Sequence, residues 1–266
     1  MKLLNNKIAI VTGATKAKGL GKAIAVKLAG QGAKVALTGR ASSKEGVEAN
    51  VAEINANGGE AMAVLVDVSD SSQVDAAIKE VADAWGKVDI LVNNAGVGFG
   101  SAVLTENQDK DWNGNYAVNV KGTMELCRGV VPYMDKSGGG SIVNVASTAG
   151  MAVSVGMPYP YVATKHALIG ATKVLALEFA AKGIRANVVA PGAINTDMLQ
   201  TAYAAIAEAE GITIEEAAAK ENASIPLGRP AEPSEIADAI VYLASPAASY
   251  ITGIVLPVAG GMAPGI

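Results

Sequence analysis

The chain has 266 residues, of which 50% are hydrophobic and 17% are charged, and its formal net charge is −4. This slight negative charge, without a basic run, argues against a nucleic-acid partner. Cys127 is the only cysteine, so no intrachain disulfide can form, and the start of the chain carries no apolar signal segment. We therefore expect a cytoplasmic protein with no membrane partner.

Apolar runs typical of β-strands alternate with helical stretches along the whole chain. The strand-like runs are residues 7–12, 34–38, 61–66, 88–92, 141–146, 184–190 and 254–258. This alternation predicts a parallel sheet with helices on both faces, which is the doubly wound, Rossmann-like α/β class. No linker or repeat interrupts it, so we predict a single domain over residues 1–266.

Glycines follow the first predicted strand. Gly13, Gly19 and Gly21 come just before a helical pattern that runs from Ala23 to Gln31. Glycines at a strand-to-helix turn let the backbone approach a pyrophosphate, which the helix N-terminus then holds. The pattern predicts a dinucleotide at this turn. The other residues of the turn that we expect to contact it are Thr15, Lys16, Lys18 and Leu20.

Tyr161 and Lys165 stand four residues apart. On a helix this spacing places two side chains on one face, about 5–6 Å apart at Cβ. An ammonium group beside a phenol favours the phenolate and would lower the pKa of Tyr161 from about 10 towards the working pH. Tyr161 is thus a candidate general acid and base for a hydroxyl proton. Taken alone, the spacing also fits an exposed helix-face pair.

Three further polar residues bear on this site. Ser147 closes the strand-like run 141–146, and its hydroxyl could bind a substrate oxygen beside the Tyr161 phenol. Asn119 lies inside a probable long helix, where asparagine has poor propensity, which suggests a local role. His166 is the only histidine, so a metal site built on histidines is excluded, and we predict no metal.

In their order along the chain, these features resemble the short-chain dehydrogenase/reductase family, from Lys7 to about Gly261. The resemblance implies a catalytic tetrad of Asn119, Ser147, Tyr161 and Lys165. It also implies that Asp67 contacts adenine and that Thr196 contacts the nicotinamide carboxamide. The cofactor contacts predicted beyond the glycine turn are Arg40, Asp67, Val68, Asn94, Ala95, Gly96, Tyr161, Lys165, Pro191, Gly192, Ile194 and Thr196.

The end of the second predicted strand bears on the choice of cofactor. NAD-preferring folds commonly place an acid there to bind the ribose hydroxyls. Here Gly39 occupies that place and Arg40 follows, so no carboxylate would repel a 2′-phosphate, and a guanidinium can bind it. Lys16 and Lys18 add positive charge, although all three are also ordinary surface cations. We predict NADP rather than NAD.

The chain departs from the family pattern in two places. Five residues separate Gly13 from Gly19 where the family usually has three, and this Lys-Ala-Lys loop is similar to that of some bile-acid hydroxysteroid dehydrogenases. The longer loop leaves the phosphate contacts of Lys16 and Lys18 open. The segment Val258-Ala259-Gly260-Gly261 also lacks the aspartate that usually precedes the two glycines.

The segment at about 197–225 is alanine-rich, supplies no obvious anion clamp and corresponds to the substrate lid of the family. Its apolar members could also be ordinary packing residues. We predict an alcohol or ketone substrate of medium size and low charge, such as a hydroxysteroid-like or cyclic compound. The residues that could complete an apolar wall on the substrate side are Met151, Val153, Met157 and Tyr159. The alternatives to this function are a 3-oxoacyl-thioester reductase and a non-catalytic dinucleotide-binding regulatory protein.

The C-terminal part of the chain, from Ala239 to Ile266, has no charged side chain. An apolar tail that remains after the core is filled indicates an interface. Members of the family commonly form tetramers with C-terminal segments packed across subunits. We therefore predict a homotetramer in which residues 262–266 are buried near a neighbouring subunit, the alternative being a disordered tail on a monomer or dimer.

Overall fold

The computed structural model describes residues 2–153 and 156–262. It contains one parallel sheet of seven strands in the order β3-β2-β1-β4-β5-β6-β7. The predicted doubly wound α/β class is confirmed, and each predicted strand lies within two residues of an observed one. The strands are β1 (Ile8–Val11), β2 (Lys34–Gly39), β3 (Glu60–Leu65), β4 (Ile90–Asn93), β5 (Gly140–Val145), β6 (Ile184–Pro191) and β7 (Val255–Val258).

Helices connect successive strands and cover both faces of the sheet. A π-helical turn, Ala117–Gly122, joins α4 to α5. The helices are α1 (Leu20–Gly30), α2 (Lys44–Ala56), α3 (Ser71–Trp85), α4 (Asp109–Tyr116), α5 (Thr123–Lys136), α6 (Tyr159–Phe179), α7 (Asp197–Glu210), α8 (Ile214–Ala223) and α9 (Pro233–Ala244). Short 3-10 turns lie at Ala41–Ser43, Leu104–Glu106, Thr148–Gly150, Ala180–Lys182 and Pro246–Ala248.

The core has two layers because side chains of a strand alternate between the faces of the sheet. On β1, Ala9 and Val11 pack towards α1, α2 and α9, among side chains such as Ile24. Ile8 and Ile10 pack on the opposite face, towards α3, α5 and α6. Both layers are closed by apolar side chains, so the sheet is buried on both faces, as parallel sheets generally are.

The order of the strands determines where a ligand can enter. From β1 the chain moves outward to β2 and β3 and then returns to β4 on the other side of β1. In doubly wound sheets this reversal leaves a crevice outside the carboxyl ends of the two central strands. Gly13 follows β1 and Asn94 follows β4, so both lie at that crevice.

The segment predicted as a lid forms the helices α7 and α8. The Tyr203 hydroxyl donates to Asn222 Oδ1 over 2.9 Å, and the Lys220 ammonium pairs with Glu210 at 2.6 Å. These two contacts join α7 to α8. The pair is thus a compact helical hairpin, and its role as a lid remains a prediction.

Two further expectations concern the membrane and the C-terminal tail. Within residues 2–153 and 156–262 we find no helix that is long and apolar enough to span a bilayer. Of the tail predicted to be buried at an interface, residues 263–266 lie outside the described part of the chain. Met262 is described and contacts the β6 end, since a Cβ added at Gly192 would lie 3.0 Å from the Met262 Sδ.

Candidate active site

The turn after β1 depends on glycine at two positions. Gly13 has a φ of +70°, in the left-handed region that L side chains rarely adopt. A Cβ at Gly21 would lie 2.5 Å from the Gly13 carbonyl oxygen, so only glycine lets α1 pack onto this turn. The helix α1 begins at Leu20, three residues before the predicted helical pattern.

The first turn of α1 fits an anionic group. Gly19 is the N-cap and has no side chain to cap the helix, so its first N–H groups remain available to a ligand. The exposed Lys16 and Lys18 precede it on the same turn. Oriented N–H groups with nearby positive charge are a suitable site for a pyrophosphate. The residues present therefore fit the predicted dinucleotide.

The ends of β1 and β4 are fastened together by Thr12, which the sequence analysis missed. The Thr12 hydroxyl oxygen accepts hydrogen bonds from the backbone N–H groups of Asn94 at 3.0 Å and Ala95 at 2.9 Å. In return, Asn94 Nδ2 donates to the Thr12 carbonyl over 2.9 Å. The segment Asn94–Gly96 is thereby held at the crevice, where the cofactor contacts were predicted.

The end of β2 lies against the glycine turn. A Cβ at Gly39 would clash with Thr15 Cγ2, so glycine is required there for close packing. Arg40 follows and is exposed. Within the described residues, neither Arg40 nor Lys16 nor Lys18 forms an ion pair with a carboxylate. Three cations without an acidic partner thus come from two adjoining segments.

Asp67 follows β3 and Thr196 follows β6, so both lie beyond the carboxyl ends of strands. The Asp67 carboxylate accepts from the Ser69 hydroxyl at 2.6 Å and from its N–H at 2.9 Å, which fixes it in the turn after β3. Thr196 is the N-cap of α7. A cavity of about 640 Å³ separates the glycine turn, at Lys18, from Thr196.

Tyr161 and Lys165 lie on the first turns of α6. The helix begins after Pro158, and Pro160 occupies its second position, where a missing N–H costs nothing. The Lys165 Nζ lies 5.5 Å from the centroid of the Tyr161 ring. It donates a hydrogen bond of 3.0 Å to the Val145 carbonyl at the end of β5. Lys165 is 4% exposed, so this bond joins a buried ammonium group to the sheet.

Burial shifts the pKa values of both groups, in opposite directions. It disfavours the charged form, so it lowers the pKa of Lys165 to about 8. It also raises the pKa of Tyr161, while a hydrogen bond with Ser147 acts more weakly in the lowering direction. The predicted lowering of the Tyr161 pKa by Lys165 was therefore wrong for the protein by itself. The ammonium group lies beside the ring and bonds to a backbone carbonyl, and desolvation outweighs any attraction.

Ser147 and Asn119 complete the group of four. Ser147 lies two residues after β5, begins the Thr148–Gly150 turn and accepts a hydrogen bond from the Ala149 N–H at 3.1 Å. Its side chain interacts with that of Tyr161. Asn119 lies in the π-helical turn and donates to the Thr164 hydroxyl on α6 over 3.1 Å. Turns of this kind are frequent at functional sites.

A buried polar network beneath the site was not predicted. Asn93 Nδ2 donates to Asn144 Oδ1 over 2.8 Å, and Asn144 Nδ2 donates to the Thr172 hydroxyl over 2.9 Å. The network connects β4 and β5 to α6, the helix that carries Tyr161. Cys127 packs beside it, and burial raises the pKa of its thiol to about 12, so this cysteine acts as a small hydrophobic residue.

Comparisons with known proteins agree with this geometry. A family described as enoyl-(acyl carrier protein) reductase matches residues 13–263. The chain is 40% identical to the 3-oxoacyl-[acyl-carrier-protein] reductase of Synechocystis, over 98% of this chain and 99% of the relative. It is 38% identical to the reductase FabG of Thermotoga maritima, over 97% and 98% of the two chains.

Solved structures give the same result. An actinorhodin polyketide ketoreductase solved with NADPH superposes with a TM-score of 0.90 at 35% identity, covering 96% of this chain and 97% of the ketoreductase. A levodione reductase also gives 0.90, at 31% identity and with 98% and 99% covered.

Fold and site define a doubly wound α/β protein with a paired tyrosine and lysine at its crevice. With these comparisons, the chain belongs to the short-chain dehydrogenase/reductase family. It is an oxidoreductase that acts on CH–OH or ketone groups, and the alternative of a non-catalytic regulatory protein is set aside.

The buried ammonium group predicts a pH-dependent effect of Lys165→Met on stability. The folded-state pKa, about 8, lies below the ordinary value of 10.5, so the unfolded chain binds the extra proton between these pH values. The cost of burying Lys165 is therefore full below pH 8 and disappears towards pH 10.5. At ~1.4 kcal/mol per pH unit, the cost is on the order of 3 kcal/mol.

Urea unfolding at pH 7 and at pH 10 measures this effect. We expect the stability of Lys165→Met relative to wild type to be greater at pH 7 than at pH 10. Lys173→Met is the matched control, because Lys173 lies exposed on the same helix. A relative stability of Lys165→Met that does not change with pH would contradict the burial of a charged Lys165.

Proposed function

We propose that the protein is an NADP-dependent oxidoreductase that interconverts a ketone and a secondary alcohol of medium size and low charge. The observation that carries the proposal is the pairing of Tyr161 with the buried Lys165 on α6. Ser147, two residues after β5, and Asn119, on the α4–α5 connection, lie beside this pair. All four belong to the tetrad that the family resemblance implies.

Each of the four residues has a role in this proposal. A bound nicotinamide would supply or accept the hydride. Tyr161 donates the proton to the carbonyl oxygen, or removes it from the alcohol, while the Ser147 hydroxyl orients that oxygen. Lys165 binds the nicotinamide ribose and, once protonated, favours the phenolate of Tyr161. These roles need the four side chains fixed in relative position, which the contacts to β5 and Thr164 provide.

The hydrogen bonds of Asn119 limit which of its atoms can bind a water. Its Nδ2 donates to the Val97 carbonyl at 2.9 Å and to Thr164 at 3.1 Å, so both of its hydrogens are occupied. Its Oδ1 accepts from the Val97 N–H and keeps one lone pair. We propose that a water that carries protons to solvent is bound by an acceptor oxygen of Asn119, such as Oδ1, and not by its side-chain NH₂ group.

NADP is the cofactor that the charges of the crevice favour. Gly39 and Arg40 at the end of β2 leave no carboxylate to repel a 2′-phosphate, and Lys16 and Lys18 lie on the turn that packs against Gly39. A guanidinium binds phosphate through two parallel hydrogen bonds. The similarity to a ketoreductase solved with NADPH also supports this choice.

The substrate side is apolar. Val153, in the proposed apolar wall, is 68% exposed, and Met198, at the start of the proposed lid, is 75% exposed. A contiguous exposed apolar patch can mark a ligand-binding surface, and we expect Val153 and Met198 to contribute to one. The one lysine of the lid, Lys220, is paired with Glu210. An uncharged ketone, such as a cyclic or hydroxysteroid-like compound, fits this surface better than a carboxylate.

A 3-oxoacyl-thioester reductase is the second candidate. It is favoured by the names of the relatives that are 38–40% identical over nearly the whole chain. We rank it second because an acidic acyl carrier needs a basic docking surface. Two cations of this region are paired instead, Arg128 on α5 with Glu125 and Lys182 in the α6–β6 turn with Asp135. Turnover of an acetoacetyl thioester compared with that of cyclic ketones separates the two candidates.

Replacing Tyr161 with phenylalanine removes only the proton-transfer group. We expect Tyr161→Phe to lower kcat by about 10²–10⁴-fold, the usual contribution of a positioned acid or base. NADPH affinity, measured by cofactor fluorescence, should stay near the wild-type value. Tyr116→Phe is the control, since Tyr116 is an exposed tyrosine outside the proposed site. A Tyr161→Phe enzyme with more than about a tenth of the wild-type rate would show that the assignment is wrong.

Arg40→Asp tests the choice of cofactor. A carboxylate at this position would repel the 2′-phosphate, and a charge-assisted contact is worth roughly 1.5–3 kcal/mol. NADPH affinity should therefore fall at least about tenfold, while NADH affinity is maintained or improved. Lys173→Asp makes the same charge change elsewhere and serves as the control. Wild-type protein that binds NADH more tightly than NADPH would refute the argument directly.

We also propose a cytoplasmic homotetramer, and α6 presents apolar side chains that support assembly. Leu177 is 83% exposed and Val174 is 63% exposed, and their spacing of three residues places them on one face of the helix. Light scattering should give a tetrameric mass, and Leu177→Lys should dissociate it by placing charge at the contact. A monomeric wild-type mass contradicts the proposal. An unchanged tetramer after truncation at Gly261 excludes only the role of the tail.

A further inference from the structure

Asparagine side chains hold the segment 97–101, which follows β4 and crosses the site. Asn119 binds both backbone groups of Val97, accepting from its N–H at 2.9 Å and donating to its carbonyl at 2.9 Å. Asn115, one turn earlier on α4, donates to the Phe99 carbonyl over 3.0 Å. Two amide side chains on one helical face therefore hold two alternate residues of the segment.

A third asparagine continues the pattern at the far end of the segment. Asn107 accepts from the Ser101 N–H at 2.9 Å and donates to the Ser101 carbonyl at 3.0 Å. That carbonyl also accepts from the Tyr159 N–H, at 3.3 Å, at the start of α6. The three bonded residues are spaced two apart, which is the repeat of an extended chain.

The two residues between them are glycines, and both lie against the start of α6. A Cβ at Gly98 would lie 3.4 Å from Cδ2 of the Tyr161 ring. Gly100 has a φ of +102°, and a Cβ there would lie 3.1 Å from the Pro160 ring. The segment is thus a thin layer between the asparagines and the helix that carries Tyr161.

Asn115 occupies the centre of this arrangement and lies outside the predicted tetrad. It is fully buried, and its Nδ2 also donates to the Asp111 carbonyl at 2.7 Å. Its Oδ1 faces Asn119 Nδ2 at 3.4 Å. A buried asparagine has poor helix propensity and must satisfy its polar atoms. The hydrogen bond to Phe99 and the contact with Asn119 explain why an asparagine, and not an apolar residue, occupies position 115.

We propose that Asn115 is a positioning residue of the active site, which fixes Phe99 and Asn119 so that Gly98 is held against the Tyr161 ring. This inference rests on the proposed function, since it assigns Asn115 a role in the step that Tyr161 performs. Because Asn115 is fully buried, we expect it to touch neither the substrate nor the cofactor. It acts through the segment 97–101, whose displacement would let the ring move.

The test compares Asn115→Leu with Asn113→Leu. Leucine matches asparagine in length and suits a buried helix position, but it makes no hydrogen bond. Asn113 is an exposed asparagine on the same helix, so it is a matched control. A displacement of about 1 Å can cost on the order of 10²-fold in rate, so we expect at least a ~10-fold loss of kcat in Asn115→Leu. NADPH affinity should stay within about twofold, and Asn113→Leu should behave as wild type.

A double-mutant cycle distinguishes positioning from general damage to the fold. If Asn115 acts through Tyr161, Asn115→Leu should cause little further loss of rate in a Tyr161→Phe background. Equal losses in both backgrounds overturn the proposal, as does wild-type kcat in Asn115→Leu. If Asn115→Leu does not fold, the variant Gly100→Ala tests the proposal in its place. Alanine is strained at that φ and displaces the segment with Asn115 intact, so the same loss is expected and wild-type kcat overturns the proposal.

The two claims fail in different ways. If Tyr161→Phe keeps the wild-type rate, the proposed function is refuted whatever Asn115→Leu does. If Tyr161→Phe loses its rate and Asn115→Leu keeps wild-type kcat, only the role of Asn115 is refuted.

Discussion

The burial of Lys165 is the constraint on which the rest of the site depends. Among the described residues its ammonium group has one hydrogen bond, to the Val145 carbonyl, and this bond fixes the start of α6 against the end of β5. Tyr161 stands one turn earlier, so its ring lies beside the same ammonium group. Desolvation lowers the pKa of the lysine and raises that of the tyrosine, so the charged form of each is disfavoured in the protein alone. Added negative charge near Lys165, such as that of a cofactor, would favour its protonated form.

Small residues leave the space that this arrangement needs. A Cβ at Gly96 would lie 3.4 Å from both Lys165 Nζ and Asn119 Oδ1, so the segment after β4 passes close to both groups. Gly21 allows α1 to approach the first turn in the same way. The crevice therefore has backbone on both sides, and polar side chains enter it from the ends of β5 and from α6. Such a site is suited to holding a flat, polar cofactor against a fixed proton donor.

Much of the fold follows from local patterns in the sequence, because strand periodicity and glycine turns act over short distances. The last strand, predicted at 254–258 and found at Val255–Val258, is an example. The four polar residues of the site were predicted as a tetrad from the resemblance to the family, and their catalytic roles remain proposals. The raised pKa of Tyr161 could not be predicted, because burial depends on elements far apart in the chain. The bonds of Asn115 and Thr12 were missed for the same reason: their partners lie 16 and 82 residues away.

Steady-state turnover is the most direct test of the central claim, that Tyr161 and its neighbours carry out NADPH-dependent reduction of a low-charge ketone. The measurement is NADPH and NADH oxidation with a panel of cyclic and hydroxysteroid-like ketones, together with an acetoacetyl thioester. We expect at least one uncharged ketone to be reduced, with a higher kcat/KM for NADPH than for NADH. Failure to oxidise NADPH with any carbonyl compound of the panel would contradict the account.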